Sequence, residues 1–333
     1  MKPRLGPLAA LGIALASQAS AQTMTSSIDP LTVAIDTRDA DRFAMLMRPG
    51  QPLPDAAALQ SGYLHGAGRG VEIFTPYRIE NAANLAKAIV AEPERYRHAI
   101  DHCLPIARTM NAELRSVYLA YRGLLPSRAL PAIHVVFGAN NSGGTANPDA
   151  QVIGLEVMCS PGQSTDDFRA GMRAIFAHET VHTWQAAPSA TAMKDGLLLY
   201  ALREGTPDYL ARLVTGREPS VVRATYGEAN AKAIWREFEA DRAAIATLPF
   251  DQARENAALM VRFHRWFENA GNGEAGRPSE LGYWVGMQIA AAYVANSADP
   301  RAAIDTLIAM DDPAAILAKS GYGQSAEVPQ RKK

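Results

Sequence analysis

Apolar residues along this chain recur mainly at three- and four-residue intervals, the period of helices that bury one face. From Asp36 to about Leu125, Ala, Leu and Ile sit on that period among charges. The clearest stretches run from Asn81 to Val90 and from Glu94 to Tyr121, with Pro93 between them as a helix starter or breaker. Pro126 and Pro131 close the section. The pattern then changes: Ala132-Ile-His-Val-Val-Phe137 and Gln151-Val-Ile-Gly-Leu-Glu-Val-Met158 are rich in β-branched residues, and the stretch 138–148 between them consists almost wholly of turn formers. Two strands joined by a long loop are predicted. After Pro161 the helical period returns. Ser164, followed three residues later by Asp167, marks a helix start, and Phe168, Met172, Ile175, Phe176 and Val181 carry that helix to Trp184. Pro188 bounds it. Further helices are predicted from Met193 to about Arg203 and over Tyr209–Thr215, Ala229–Thr247, Gln252–Asn269, Tyr283–Asn296 and Arg301–Met310. The expected fold class is α+β, mostly helical, with one small β-sheet preceding the helix over 164–184.

The two ends change the domain picture. Lys2 and Arg4, then a short apolar run from Leu8 to Ala16, then Ala19-Ser20-Ala21, read as a secretory signal cleaved after Ala21. The expected organisation is 1–21 signal peptide, 22–130 helical region, 131–325 a region with the sheet and the helices after it, forming one compact unit with the preceding helices and holding the candidate chemistry described below, and 326–333 tail. The mature chain is therefore expected in the periplasm or outside the cell. No later segment suits a membrane span, since Gly and Gln interrupt Leu281–Val294. Hydrophobic residues at 48% allow a substantial core, and a net charge of -1 argues against a nucleic-acid partner. The two cysteines, Cys103 and Cys159, could pair in an oxidising compartment or remain buried thiols; their spacing leaves both open.

The candidate chemistry lies in His178-Glu179-Thr180-Val181-His182. Histidines four apart share one face of a helix, so both imidazoles can hold one metal ion, and zinc suits nitrogen donors of this kind. Glu179 is placed to take a proton from a metal-activated water. A catalytic site needs a third protein ligand. Glu204, 22 residues beyond His182, leaves room for the chain to turn near Pro188 and run back as a helix. Asp208, one turn further, could accept the second ring N–H of a ligand histidine.

His-Glu-x-x-His followed by Glu204-x-x-x-Asp208 resembles the gluzincin class of metallopeptidases, of which thermolysin is the type. Over most of the chain, from near Asp36 to Ser320-Gly-Tyr322, it also resembles a bacterial family of predicted zinc-dependent proteases related to a gliding-motility lipoprotein. That likeness rests on Glu204-Gly-Thr-Pro-Asp-Tyr-Leu210, Gly143-Gly-Thr145, Gly154-x-Glu156 and Gly282-Tyr-Trp-Val-Gly286. The resemblance implies a zincin-like fold, zinc on His178, His182 and Glu204, and Glu179 as base. The chain lacks the lipobox cysteine of the lipoprotein members.

Peptide hydrolysis also needs a donor for the oxyanion. Tyr283, near two glycines, is one candidate and His264 the other. Asn140, Asn141, Gly143 and Gly144 are candidates for the substrate-binding mouth, and His134–Phe137 or Val152–Met158 for an edge on which an extended peptide lies. His98 and His102 share the four-residue spacing but read as an ordinary helix face. The leading expectation is a zinc peptidase acting on peptides or proteins of the cell envelope. The rivals are a non-catalytic envelope binding or scaffold protein that keeps the metal helix, and a zinc hydrolase of a non-peptide bond.

Overall fold

A computed structural model describes residues 28–270 and 276–323. The proposed signal segment and the tail lie outside these residues. The described chain is mostly helical with one three-stranded sheet, as the pattern predicts, and among its helices none is long and apolar enough to cross a membrane.

Five helices and the sheet place the site. They are α1 (Asn111–Leu124), α2 (Thr165–His182), α3 (Gly196–Thr215), α4 (Val221–Ile245) and α5 (Leu281–Ala295), with β1 (Ala132–Val136), β2 (Gly144–Ala146) and β3 (Ala150–Gly154). The strands are ordered β1-β3-β2, β1 parallel and β2 antiparallel to β3. The anticipated loop thus contributes its own strand, β2, paired through Gly144, Thr145 and Ala146. The second strand ends at Gly154 rather than Met158. There the chain coils into a short turn so that Glu156 can turn inward and accept the backbone N–H groups of Gly138 and Asn140 at 3.0 and 3.2 Å.

The N-terminal helices share one apolar core with the sheet. Phe43 stacks on Phe137 with centroids 4.5 Å apart. The buried hydroxyls of Tyr63 and Tyr96 donate to the carbonyls of Phe137 and Gly138, each at 2.8 Å, fixing the point where β1 gives way to the loop. The stretch from Glu94 to Tyr121 is not one helix. It runs Pro93–His98, widens into a π turn over Ala99–Cys103, resumes as Leu104–Ala107 and restarts as α1. Pro105, lacking an N–H, cannot continue the ordinary ladder. The helix expected over Gln252–Asn269 also breaks, because the side chain of Asn256 caps a new helix by accepting from Ala258 and Leu259 N–H.

On the opposite side, α3 is continuous where two helices were expected, and it carries Pro207 inside. It crosses α5 at Gly205 and Gly286, where a Cβ on Gly286 would stand 1.6 Å from the Ala201 carbonyl. Only glycine permits backbones this close.

Cys103 and Cys159 form a disulfide across 56 residues, joining the π turn to the segment that follows β3. Closing a loop of that length stabilises by about 4 kcal/mol in the chain-entropy account. Cys103→Ser should therefore lower unfolding free energy by about 4 kcal/mol, read from urea denaturation. An unchanged midpoint would show that the bond does not constrain the unfolded chain.

Candidate metal centre

Helix α2 begins as its sequence predicts, with Ser164 Oγ accepting the N–H of Asp167 at 3.1 Å. Buried polar contacts then hold its last turns against the sheet and α1. Gln151 on β3 donates to Thr180 Oγ1 and to the Phe176 carbonyl, while Tyr121 of α1 donates to the Ala177 carbonyl at 2.8 Å. The end of α2 is thereby aimed at α3.

His178, His182 and Glu204 converge there. The two Nε2 atoms are 3.0 Å apart, and Glu204 Oε2 lies 3.5 Å from His178 Nε2 and 3.3 Å from His182 Nε2. What surrounds each ring fixes its tautomer. His178 Nδ1 is 2.8 Å from Asp208 Oδ1, and that carboxylate also accepts from Arg223 at 3.1 Å. An ionised, doubly engaged carboxylate can only accept, so Nδ1 carries the proton.

His182 is fixed by a longer chain of reasons. Pro207 has no N–H for the carbonyl of Arg203, four residues earlier. That carbonyl instead accepts from Gln185 Nε2 at 3.0 Å. The amide is thereby oriented, and its Oε1 faces His182 Nδ1 at 2.7 Å. An amide oxygen can only accept, so this Nδ1 is also protonated. Both Nε2 lone pairs and the Glu204 carboxylate then face one another, three acceptors with no proton between them. Such a group could hold a metal ion. Without one the same field draws protons: burial pushes His178 down, but Asp208 and Glu204 outweigh it and raise its pKa to about 10. The protonated histidines in turn hold Glu204 well below the usual carboxylate range, against its burial.

Glu179 is buried, and one of its oxygens, Oε2, has no hydrogen-bond partner. Burial raises its pKa, an effect the neighbouring histidines oppose. Gly144 lets β2 come this close, since a Cβ there would meet Glu179 Oε1 at 2.5 Å.

A cleft of about 800 Å³ opens over His178 and Glu179 and is walled by Asn140, Asn141, Gly143 and Gly144. All four residues expected at the mouth are there. The amides of the two asparagines face protein, however: Asn140 Nδ2 donates to Glu92 at 2.8 Å and Asn141 Nδ2 to the Arg78 carbonyl at 3.1 Å. Tyr283 borders the cleft with its ring stacked on His178, centroids 5.9 Å apart, and the Arg223 guanidinium covers it at 4.9 Å. Burial, together with the Glu204 carboxylate, raises its pKa well above the usual value.

His264 is not brought to the site. It is half exposed after the helix Ala257–Phe263, near Glu268 at 3.9 Å, and does not border the cleft. The edge strand also differs from expectation. Val152 lies on β3, the central strand, and His134 on β1, whose outer side bridges Asp36. The strand beside His178, His182 and Glu204 is β2. Sequence reasoning missed Arg78, Gln185 and Arg223, and Arg78 and Arg223 had no signal in local pattern. Gln185 alone was findable, as an amide three residues after a ligand histidine at a helix end.

Comparisons with protein-family models, curated proteins and solved structures return no match for this chain.

Two outcomes follow. Gln185→Leu leaves His182 Nδ1–H and the Arg203 carbonyl without partners. Its affinity for Zn2+, measured by competition with a chelator, should fall roughly 10- to 100-fold; unchanged affinity would remove the tautomer argument. Glu156, fully buried, is raised by burial to about 7 from 4.5, with the Gly138 and Asn140 N–H groups opposing. A carboxyl raised on folding contributes stability that is full below pH 4.5 and lost as pH rises through 7. Glu156→Gln should flatten that part of the stability profile, by up to about 3 kcal/mol in urea titrations across the window. An unaltered slope would show that Glu156 does not titrate there.

Proposed function

We propose that the chain is a zinc-dependent peptidase of the gluzincin kind, exported to the cell envelope. One observation carries the reading: two imidazole nitrogens and a carboxylate oxygen converge within 3.5 Å of one another, beside a buried carboxylate one of whose oxygens has no hydrogen-bond partner. The donor set suits zinc. Four donors about 2.0–2.1 Å from a tetrahedral ion lie roughly 3.3 Å from one another. The three observed separations are 3.0, 3.3 and 3.5 Å. Three protein donors also leave a coordination position open, whereas a structural zinc has four. Among the described residues the group comprises only these three, which favours catalysis over a brace.

When bound, zinc supplies a Lewis acid and lowers the pKa of water. The chain's own residues do the rest. Glu179 takes the proton of the attacking water through its unpartnered oxygen and passes it to the departing amine. Burial keeps the Tyr283 hydroxyl protonated, so it remains a donor for the carbonyl oxygen as that atom gains charge. Asp208 and Gln185 hold the two rings in place. An extended peptide adds to β2, whose Gly144, Thr145 and Ala146 border the smaller lobe of the cleft beside His182 and Glu204. The closeness of Gly144 to Glu179 brings the peptide's backbone to the base.

The test begins with metal content. The purified protein should hold about one zinc, as one three-donor site requires, and His178→Ala and Glu204→Ala should lose it. Glu179→Gln should keep zinc and lose peptide turnover by roughly 10²- to 10⁴-fold, the usual weight of a general base. Full turnover in Glu179→Gln would falsify the mechanism.

A further inference from the structure

Three arginines border the cleft. Arg203 donates to the Ala186 carbonyl at 3.1 Å, and Arg223 to Asp208 at 3.1 Å. Arg78 differs. Its Nε is buried and has no hydrogen-bond partner. It also borders both lobes of the cleft, the larger one with Asn141 and Tyr283 and the smaller one with His182 and Glu204.

The turn that presents Arg78 is an expensive one to form. Tyr77 and Glu80 adopt left-handed backbone, φ 66° and 63°, a region disfavoured for residues with a side chain. The surroundings hold it there. Glu80 N–H donates to the Thr75 carbonyl at 2.7 Å, Asn84 Nδ2 to the Ile79 carbonyl at 3.1 Å, and Asn141 Nδ2 to Arg78's own carbonyl at 3.1 Å. Its backbone is therefore pinned to the cleft wall. A buried guanidinium donor without an acceptor is costly, and such a group in a folded protein calls for a partner. The planar fork of a guanidinium matches a carboxylate, which can accept two of its N–H groups at once. Its positive charge also acts on Glu179, opposing the effect of burial there.

We propose that Arg78 forms a carboxylate subsite: the peptide taken by this cleft carries a carboxylate that Arg78 binds while the scissile bond lies over His178 and Glu179. This deepens the peptidase reading and rests on it. The carboxylate is either the C-terminal group or an acidic side chain, and the recognising chemistry is the same.

Three probes separate the sources: N-acetyl-tetraalanine as the free acid, the same peptide as its amide, and that amide with Glu at one internal position. Binding is measured by calorimetry on the Glu179→Gln protein, with and without zinc, so that no cleavage intervenes. The expected result is that at least one carboxylate-bearing probe binds roughly 10- to 100-fold tighter than the neutral amide, the usual weight of a charge-assisted hydrogen bond. Adding Arg78→Gln should erase that preference, bringing charged and neutral probes to the same affinity, while Arg78→Lys should keep part of it. Preference for the free acid alone identifies the C-terminal group; preference for the Glu probe identifies a side chain. Equal binding of charged and neutral probes, binding of none, or a preference that survives Arg78→Gln overturns the proposal. Failure of the peptidase reading shows separately, as absence of zinc from the parent protein.

Discussion

Two imidazole nitrogens and a carboxylate oxygen held within 3.5 Å of one another repel unless a cation or added protons lie between them. The arrangement around the end of α2 opposes that repulsion. Asp208 and Gln185 claim the outer ring nitrogens, so neither imidazole can turn its proton inward without losing a buried hydrogen bond. The sheet and α1 grip α2 from behind through Gln151 and Tyr121. From the front, α3 brings Glu204 and Asp208 on successive turns, and its close crossing with α5 sets where both of them stand.

Much of this centre was legible because it is local. The spacing of His178 and His182 fixes their shared face, and Glu204 and Asp208 repeat that spacing on one returning helix. Tyr283 could be named as a candidate but not placed. Its stacking on His178 depends on how α5 passes behind α3, which periodicity does not encode. His264 shows the converse: a histidine that residue type alone offers as a donor and that the fold leaves outside the cleft, near Glu268.

The illegible parts are those decided by long-range packing. Gly144-Thr-Ala146 has the composition of a turn and becomes a strand because β3 offers it a partner. Glu156 sits in what reads as a strand, yet two backbone N–H groups on the neighbouring loop pull it inward and end the strand early. The Cys103–Cys159 pairing depended on positions that spacing does not reveal; the fold brings the π turn that ends at Cys103 against the segment after β3 that carries Cys159.

Pro207 would ordinarily be regarded as a flaw in α3, and replacing it with alanine is what a helix-optimising design would suggest. Here the defect is a structural instruction. A restored N–H would draw the Arg203 carbonyl back into the helical ladder and away from the Gln185 amide. Gln185 would then be free to rotate and present its NH₂ to His182. Substitutions ranked by helix propensity alone would thus select against the candidate metal centre, and a more stable α3 would come with a looser His178–His182–Glu204 group.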